Sequence, residues 1–166
     1  MGLKKAKIIS KILRYIPLAL LYFSVLNEFD IDTAAIGLIS FNLPFIIIFY
    51  WSLKDPDHIG SGLIFISGIL NDVTLGYPIG ISSFIYLIII GFASYLRNIT
   101  LRPNTYKDSI VFLIAILFAN SVNALILSFI FSTEIIFNEI LINIIFTYLL
   151  YFLFAKMFNY LKPVSA

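Results

Sequence analysis

The sequence predicts an all-α integral membrane protein, a single polytopic domain over residues 1–166 built as a six-helix transmembrane bundle. Three observations carry this reading. Hydrophobic residues make up 61% of the chain and charged residues 12%, and the mean hydropathy is +1.02, values outside the range of water-soluble domains. The apolar residues fall into stretches separated by short polar turns, several near the roughly 20 residues a helix needs to cross a bilayer. The basic residues collect in alternate turns.

The first helix is expected over residues 12–27. It follows Lys4, Lys5, Lys7, Lys11 and Arg14, and its apolar run Tyr15–Leu26 meets Asn27, Glu28, Asp30 and Asp32 with no small-residue cleavage site. That pattern reads as a retained helix, not a secretory signal, with Pro17 near the basic end where a kink is tolerable. A myristoylation signal is not expected either, since Ala6 stands where Ser or Thr is required. The second helix, residues 33–53, is apolar apart from Ser40, Asn42 and Ser52 and ends in Phe49-Tyr50-Trp51, an aromatic cluster suited to a headgroup boundary. The turn Lys54-Asp55-Pro56-Asp57-His58 breaks it, because two acids, a lysine and a proline do not continue through hydrocarbon.

The third and fourth helices, residues 59–75 and 79–96, flank Asn71-Asp72-Val73-Thr74-Leu75-Gly76-Tyr77-Pro78. The apolar part of the third, Ile59–Leu70, makes only about 18 Å of helix. It crosses fully only by running through Asp72 toward Leu75; a re-entrant hairpin over residues 59–96 is the alternative. A polar loop, Arg97–Asp108, precedes the fifth helix, residues 109–132, and the sixth follows over residues 135–155. With the N-terminus inside, all 11 Lys and Arg residues fall on the cytoplasmic side, while the outer turns hold Glu28, Asp30, Asp32, Asp72 and Glu134 and no basic residue. Both arrangements of residues 59–96 give the same orientation, with both termini cytoplasmic.

Composition also narrows the function. A net charge of +2 without a basic, aromatic-interleaved patch disfavours nucleic acid as a partner. The absence of cysteine excludes thiol chemistry and Cys-ligated zinc. The single histidine, His58, lies among acids in a turn and reads as solvated, so no metal and no cofactor is expected. Asp72 as a general base lacks a nucleophile or partner acid, and Glu139 is accounted for by the positive N-terminus of its helix. An enzyme is the least favoured class.

Polar residues inside the spans are the remaining candidates, because lipid tolerates them only where they face protein or water. Ser61, Gly68 and Asp72 share one face of the third helix; Asn120, Ser121 and Asn123 sit near the middle of the fifth; Glu139, Asn143 and Thr147 form a stripe on the sixth. The favoured reading is helix packing through interhelical hydrogen bonds, each about 0.6 to 2 kcal/mol. The sharper reading is a polar cavity for a small solute or ion, which requires the stripes to face one another. In the turn, Gly76 is suited to a positive φ, Pro78 fixes φ ahead of the fourth helix, and Gly80 permits close backbone packing there. Asp72 is placed to accept hydrogen bonds from the turn's N–H groups.

Pro44, Tyr50-Trp51-x-Leu53, Pro56, Gly60, Gly68 and above all Asn71-Asp72-x-x-x-Gly76-x-Pro78-x-Gly80 followed by an apolar helix resemble the rod-shape-determining membrane protein family MreD. The recognisable residues cover Pro44 to Leu96, and Ile79 stands where that family commonly has Leu. The resemblance implies a non-enzymatic scaffold of bacterial cell elongation in the cytoplasmic membrane. It would act with the bitopic protein MreC and through it with MreB filaments, the glycosyltransferase RodA and a penicillin-binding transpeptidase. Asp72, Gly76, Pro78 and Gly80 would then form either a docking turn or a purely structural one. The resemblance also implies the six-helix fold of the substrate-binding subunits of energy-coupling-factor transporters, so a vitamin or small-molecule transporter subunit is the rival function. Such a subunit needs a small-residue face on its first helix, and Ile12–Leu26 offers only Ala19 between Tyr15 and Phe23.

The charge bias makes a direct prediction. Alkaline phosphatase fused in the Arg97–Asp108 loop is expected to be inactive, and activity from a fusion in the Asp72–Gly80 turn would mark two full spans over residues 59–96. Activity from the loop fusion overturns both helix count and orientation.

Overall fold

The computed structural model describes residues 15–26, 31–33, 37–39, 41–56, 59–100, 104–132 and 136–161. Six helices occur in it: α1 (Tyr15–Leu26), α2 (Leu43–Lys54), α3 (Ser61–Leu75), α4 (Ile81–Ile99), α5 (Thr105–Phe131) and α6 (Phe137–Leu161). Two short strands, β1 (Ile31–Thr33) and β2 (Gly37–Ile39), lie between α1 and α2 and pair antiparallel with Ile31 opposite Ile39. By length and composition three helical stretches are able to cross a membrane, Ile81–Ile99, Tyr106–Phe131 and Phe137–Phe158; α1, α2 and α3 are shorter.

The second helix departs most from expectation. It begins at Leu43 and not at Thr33, because Pro44 occupies its first turn. There the missing N–H costs nothing, whereas deeper in a helix the proline ring would clash with the preceding turn. The residues upstream, with β-branched Ile31, Thr33 and Ile39 beside Gly37, take the extended conformation that such side chains favour. At 12 residues, α2 is only about 18 Å long. Leu43 and every residue from Phe45 to Leu53 are buried. A helix apolar on all sides belongs in an interior, and α2 is the axis on which α4 and α6 pack.

This burial also corrects the reading of Phe49-Tyr50-Trp51 as a headgroup belt. All three are core residues. Phe49 meets the ring of Phe112 on α5 at 5.0 Å, Phe112 stacks on Tyr151 of α6 at 4.4 Å, and Tyr50 lies 5.1 Å from Phe158. The aromatic residues therefore bind α2 to α5 and α6 rather than anchor it in headgroups. Trp51 Nε1 and Ser52 Oγ are buried there without a hydrogen-bond partner among the described residues.

Charged residues close one end of the bundle. Lys54, in the last turn of α2, donates to Asp108 in the first turn of α5 at 2.5 Å. Arg97 of α4 donates to the carbonyl of Ser52 at 2.8 Å, capping one of the α2 carbonyls that has no partner within its own helix. Both charges sit where the helix dipoles favour them, the acid at an N-terminus and the lysine at a C-terminus. The expected Arg97–Asp108 loop is correspondingly shorter, since α4 runs through Arg97 to Ile99 and α5 starts at Thr105. Asn104 provides that start by accepting the N–H of Tyr106 on its side chain at 3.0 Å.

The α3–α4 pair is the tightest contact. A Cβ placed on Gly68 would lie 2.5 Å from the backbone nitrogen of Ser83 and 2.7 Å from its hydroxyl oxygen, so only glycine allows the two helices to meet there. Ser83 reinforces the crossing by donating its hydroxyl to the carbonyl of Phe65 at 2.8 Å. Gly62 on the same helix faces open space. Gly68→Ala is accordingly expected to destabilise the protein by roughly 1 to 3 kcal/mol through overpacking. Gly62→Ala should leave stability unchanged or raise it by about 0.5 to 1 kcal/mol. Thermal unfolding of both variants in detergent checks this; equal midpoints would remove the close-approach account.

Candidate functional site

The opposite end of the bundle holds most of the predicted site residues, beginning with the α3–α4 turn. Helix α3 ends because Gly76 takes φ +68, the left-handed conformation expected of it, and Tyr77 N–H bonds back to the carbonyl of Asp72 at 2.8 Å. Pro78 follows within the turn, its carbonyl accepting from Ile81 at 3.4 Å; it precedes α4 by three residues and is not the first helical position. Gly80 is the N-cap of α4 with φ +110, and a Cβ there would meet nothing within 4 Å. The expected reason for this glycine, close backbone packing, is thus replaced by a dihedral one: at Gly80 the backbone angle requires glycine, and the close approach falls at Gly68.

Asp72 is 0% exposed. Its two carboxylate oxygens accept the backbone N–H of Gly80 at 2.7 Å and of Ser82 at 2.8 Å. These are N–H groups at the start of α4 that have no acceptor within the helix, and the positive end of the helix dipole favours the negative carboxylate. Asp72 is therefore an N-cap supplied by the preceding helix. Beside it, Asn71 donates to the Ser82 hydroxyl at 2.9 Å. The turn's surface is formed instead by Val73, Thr74, Gly76, Pro78 and Ile79, of which Val73 and Ile79 are 61% and 72% exposed.

The polar stripes do face one another. Residues from all six helices, among them Ser24, Leu43, Asn71, Ser82, Asn120 and Glu139, line one cavity of about 380 Å³. Asn123 and Asn143 also line it. Asn42, just ahead of α2, joins that helix to α6: its side-chain N–H donates to Asn143 Oδ1 at 2.9 Å and its backbone N–H to Thr147 Oγ1 at 3.0 Å. Asn120, expected to bond between helices, instead donates to the carbonyl of Ile116 one turn back in α5 at 2.9 Å. Ser121 does the same to Leu117 and is exposed, as is Ser61 at the far end of α3. Glu139 is exposed in the first turn of α6. Asn42 was visible as a polar residue in an apolar run, but only the fold shows it bridging two helices.

His58 and Asp57 lie outside the described residues, and among those described no three of His, Cys, Asp and Glu come together as a metal site would require. The arrangement offers a rigid capped turn with an apolar tip, and beside it an amide-lined cavity.

Two substitutions separate the elements of the turn. Gly80→Ala is expected to cost roughly 1 to 3 kcal/mol from the forced positive φ, while Gly60→Ala, at a position with φ −60, should be neutral. Asp72→Asn removes one of two acceptors and should lower stability by about 1 to 3 kcal/mol. Thermal unfolding in detergent reads both, and an unchanged Asp72→Asn midpoint would show that the cap carries no weight.

A family model described as rod shape-determining protein MreD matches residues 10–161. No curated relative and no solved structure matches the chain.

Proposed function

The chain belongs to the MreD family, which carries a role in rod shape determination, and from that membership we propose that it is a non-enzymatic scaffold of bacterial cell elongation. The carrying observation is the family match over residues 10–161, nearly the whole chain. In this reading the protein sits in the cytoplasmic membrane with both termini inside. It acts with an MreC-like bitopic protein and, through it, with MreB, RodA and a penicillin-binding transpeptidase that build the lateral wall.

The turn supports a docking role with a changed assignment of residues. Asp72 is buried with both oxygens engaged, so it positions the turn and offers nothing to a partner. The contact falls to Val73, Pro78 and Ile79, an apolar tip held rigid by the cap beneath it. A single-helix partner can pack on such a tip where its helix leaves the membrane. The cavity favours a second reading, a substrate-binding transporter subunit. Against it, Tyr15, Ala19 and Phe23 form an exposed stripe on α1 whose two large side chains obstruct the close helix approach such subunits need.

The two roles of the turn are separable in cells depleted of the native protein. Ile79→Ser is expected to accumulate at the parental level yet to lower recovery of the MreC partner about tenfold, from loss of roughly 1.5 kcal/mol of buried apolar contact, and to round the cells. Asp72→Ala should instead reduce the amount of folded protein. Parental partner recovery and rod shape with Ile79→Ser would overturn docking at this tip, and loss of small-molecule uptake with normal shape would favour the transporter.

A further inference from the structure

We infer that the cavity at the acidic end of the bundle binds a small hydroxylated amine, with its ammonium at the Glu139 carboxylate and its hydroxyl groups at side-chain carbonyls of asparagine. The inference does not depend on the scaffold role. A volume of about 380 Å³ accommodates a ligand of sugar size, within the roughly 300 to 1,000 Å³ common for small-molecule sites.

The lining selects the chemistry. Among the described residues that line the cavity, Glu139 is the one charged side chain, and none is Lys, Arg or His. An anion entering would find a carboxylate and no counter-charge, whereas a cation would be paired. The amides add to this bias. Asn42, Asn71 and Asn120 donate their side-chain N–H groups to Asn143 Oδ1, the Ser82 hydroxyl and the Ile116 carbonyl. Among the described residues nothing donates to the carbonyl oxygen of these three amides. These carbonyl oxygens are open to a ligand's hydroxyl donors, and the second N–H of each amide can meet a hydroxyl oxygen. Asn120, 8% exposed, lies deep, and Glu139, exposed, lies at the rim. The Phe45 and Tyr86 rings, 6.0 Å apart edge to face, supply apolar wall between them.

A free amino sugar presents an ammonium together with hydroxyl donors. Protein reconstituted in nanodiscs of phosphatidylglycerol tests it. Glucosamine is expected to raise the unfolding temperature in a saturable way and to bind about tenfold more tightly than glucose, and glucuronate should have no effect. Glu139→Gln should bring glucosamine down to the affinity of glucose, and should lower the unfolding temperature of the ligand-free protein only by the small loss of the carboxylate's interaction with the N-terminus of α6. The inference is overturned if glucuronate stabilises as well as glucosamine, if Glu139→Gln binds glucosamine like the parent, or if glucosamine fails to stabilise the protein. Each readout uses purified protein, so its failure leaves the partner measurements in cells untouched.

Discussion

The rest of the structure depends on one short helix buried on every side. At about 18 Å, α2 covers little more than half of a roughly 30 Å hydrocarbon layer. Its apolar surface has no lipid-facing or water-facing side, so the other helices must enclose it. Where α2 is present the interior is filled with interlocking aromatic rings. At its first residues the surroundings change: Leu43, Pro44 and Phe45 line the cavity together with residues of the other five helices.

The two ends of α2 solve opposite problems. Its last carbonyls and Lys54 are met by Arg97 and Asp108, which brings compensating charge and donors to a place where water is scarce. Its beginning is met by amides: Asn42 spans to Asn143 and Thr147 and so links the chain ahead of α2 to α6 without any charge. Next to this, Asp72 serves α4 as Arg97 serves α2, a side chain from a neighbouring helix completing a helix end. Pairing of this kind fixes the depth at which helices sit relative to one another, which apolar packing alone leaves free to slide.

Hydropathy revealed the number of helices and their order, because a run of apolar residues is a strong signal. It misplaced the start of α2 because Thr33–Asn42 is as apolar as a helix, and the deciding residue, Pro44, acts through sterics. Phe49-Tyr50-Trp51 was legible as an aromatic group but not as core, since a belt and a core use the same side chains and differ only in what surrounds them. That Asp72 accepts N–H groups of the turn and that Gly76 takes a positive φ was readable from their spacing. The cause at Gly80 was not, because a missing Cβ looks the same in sequence whether it spares a clash or a dihedral. The Lys54–Asp108 pair was hidden by distance along the chain.

That same pair bears on how the protein is made. Asp108 is 54 residues downstream of Lys54, and at about 5 to 20 residues per second of synthesis it emerges roughly 3 to 11 s later. Until then α2 carries an uncompensated charge at its end and has no α5 or α6 against which to bury its aromatic face. The central helix of the finished bundle is thus the one least able to settle when it is first produced. Its full enclosure must await the second half of the chain, where α5 and α6 lie.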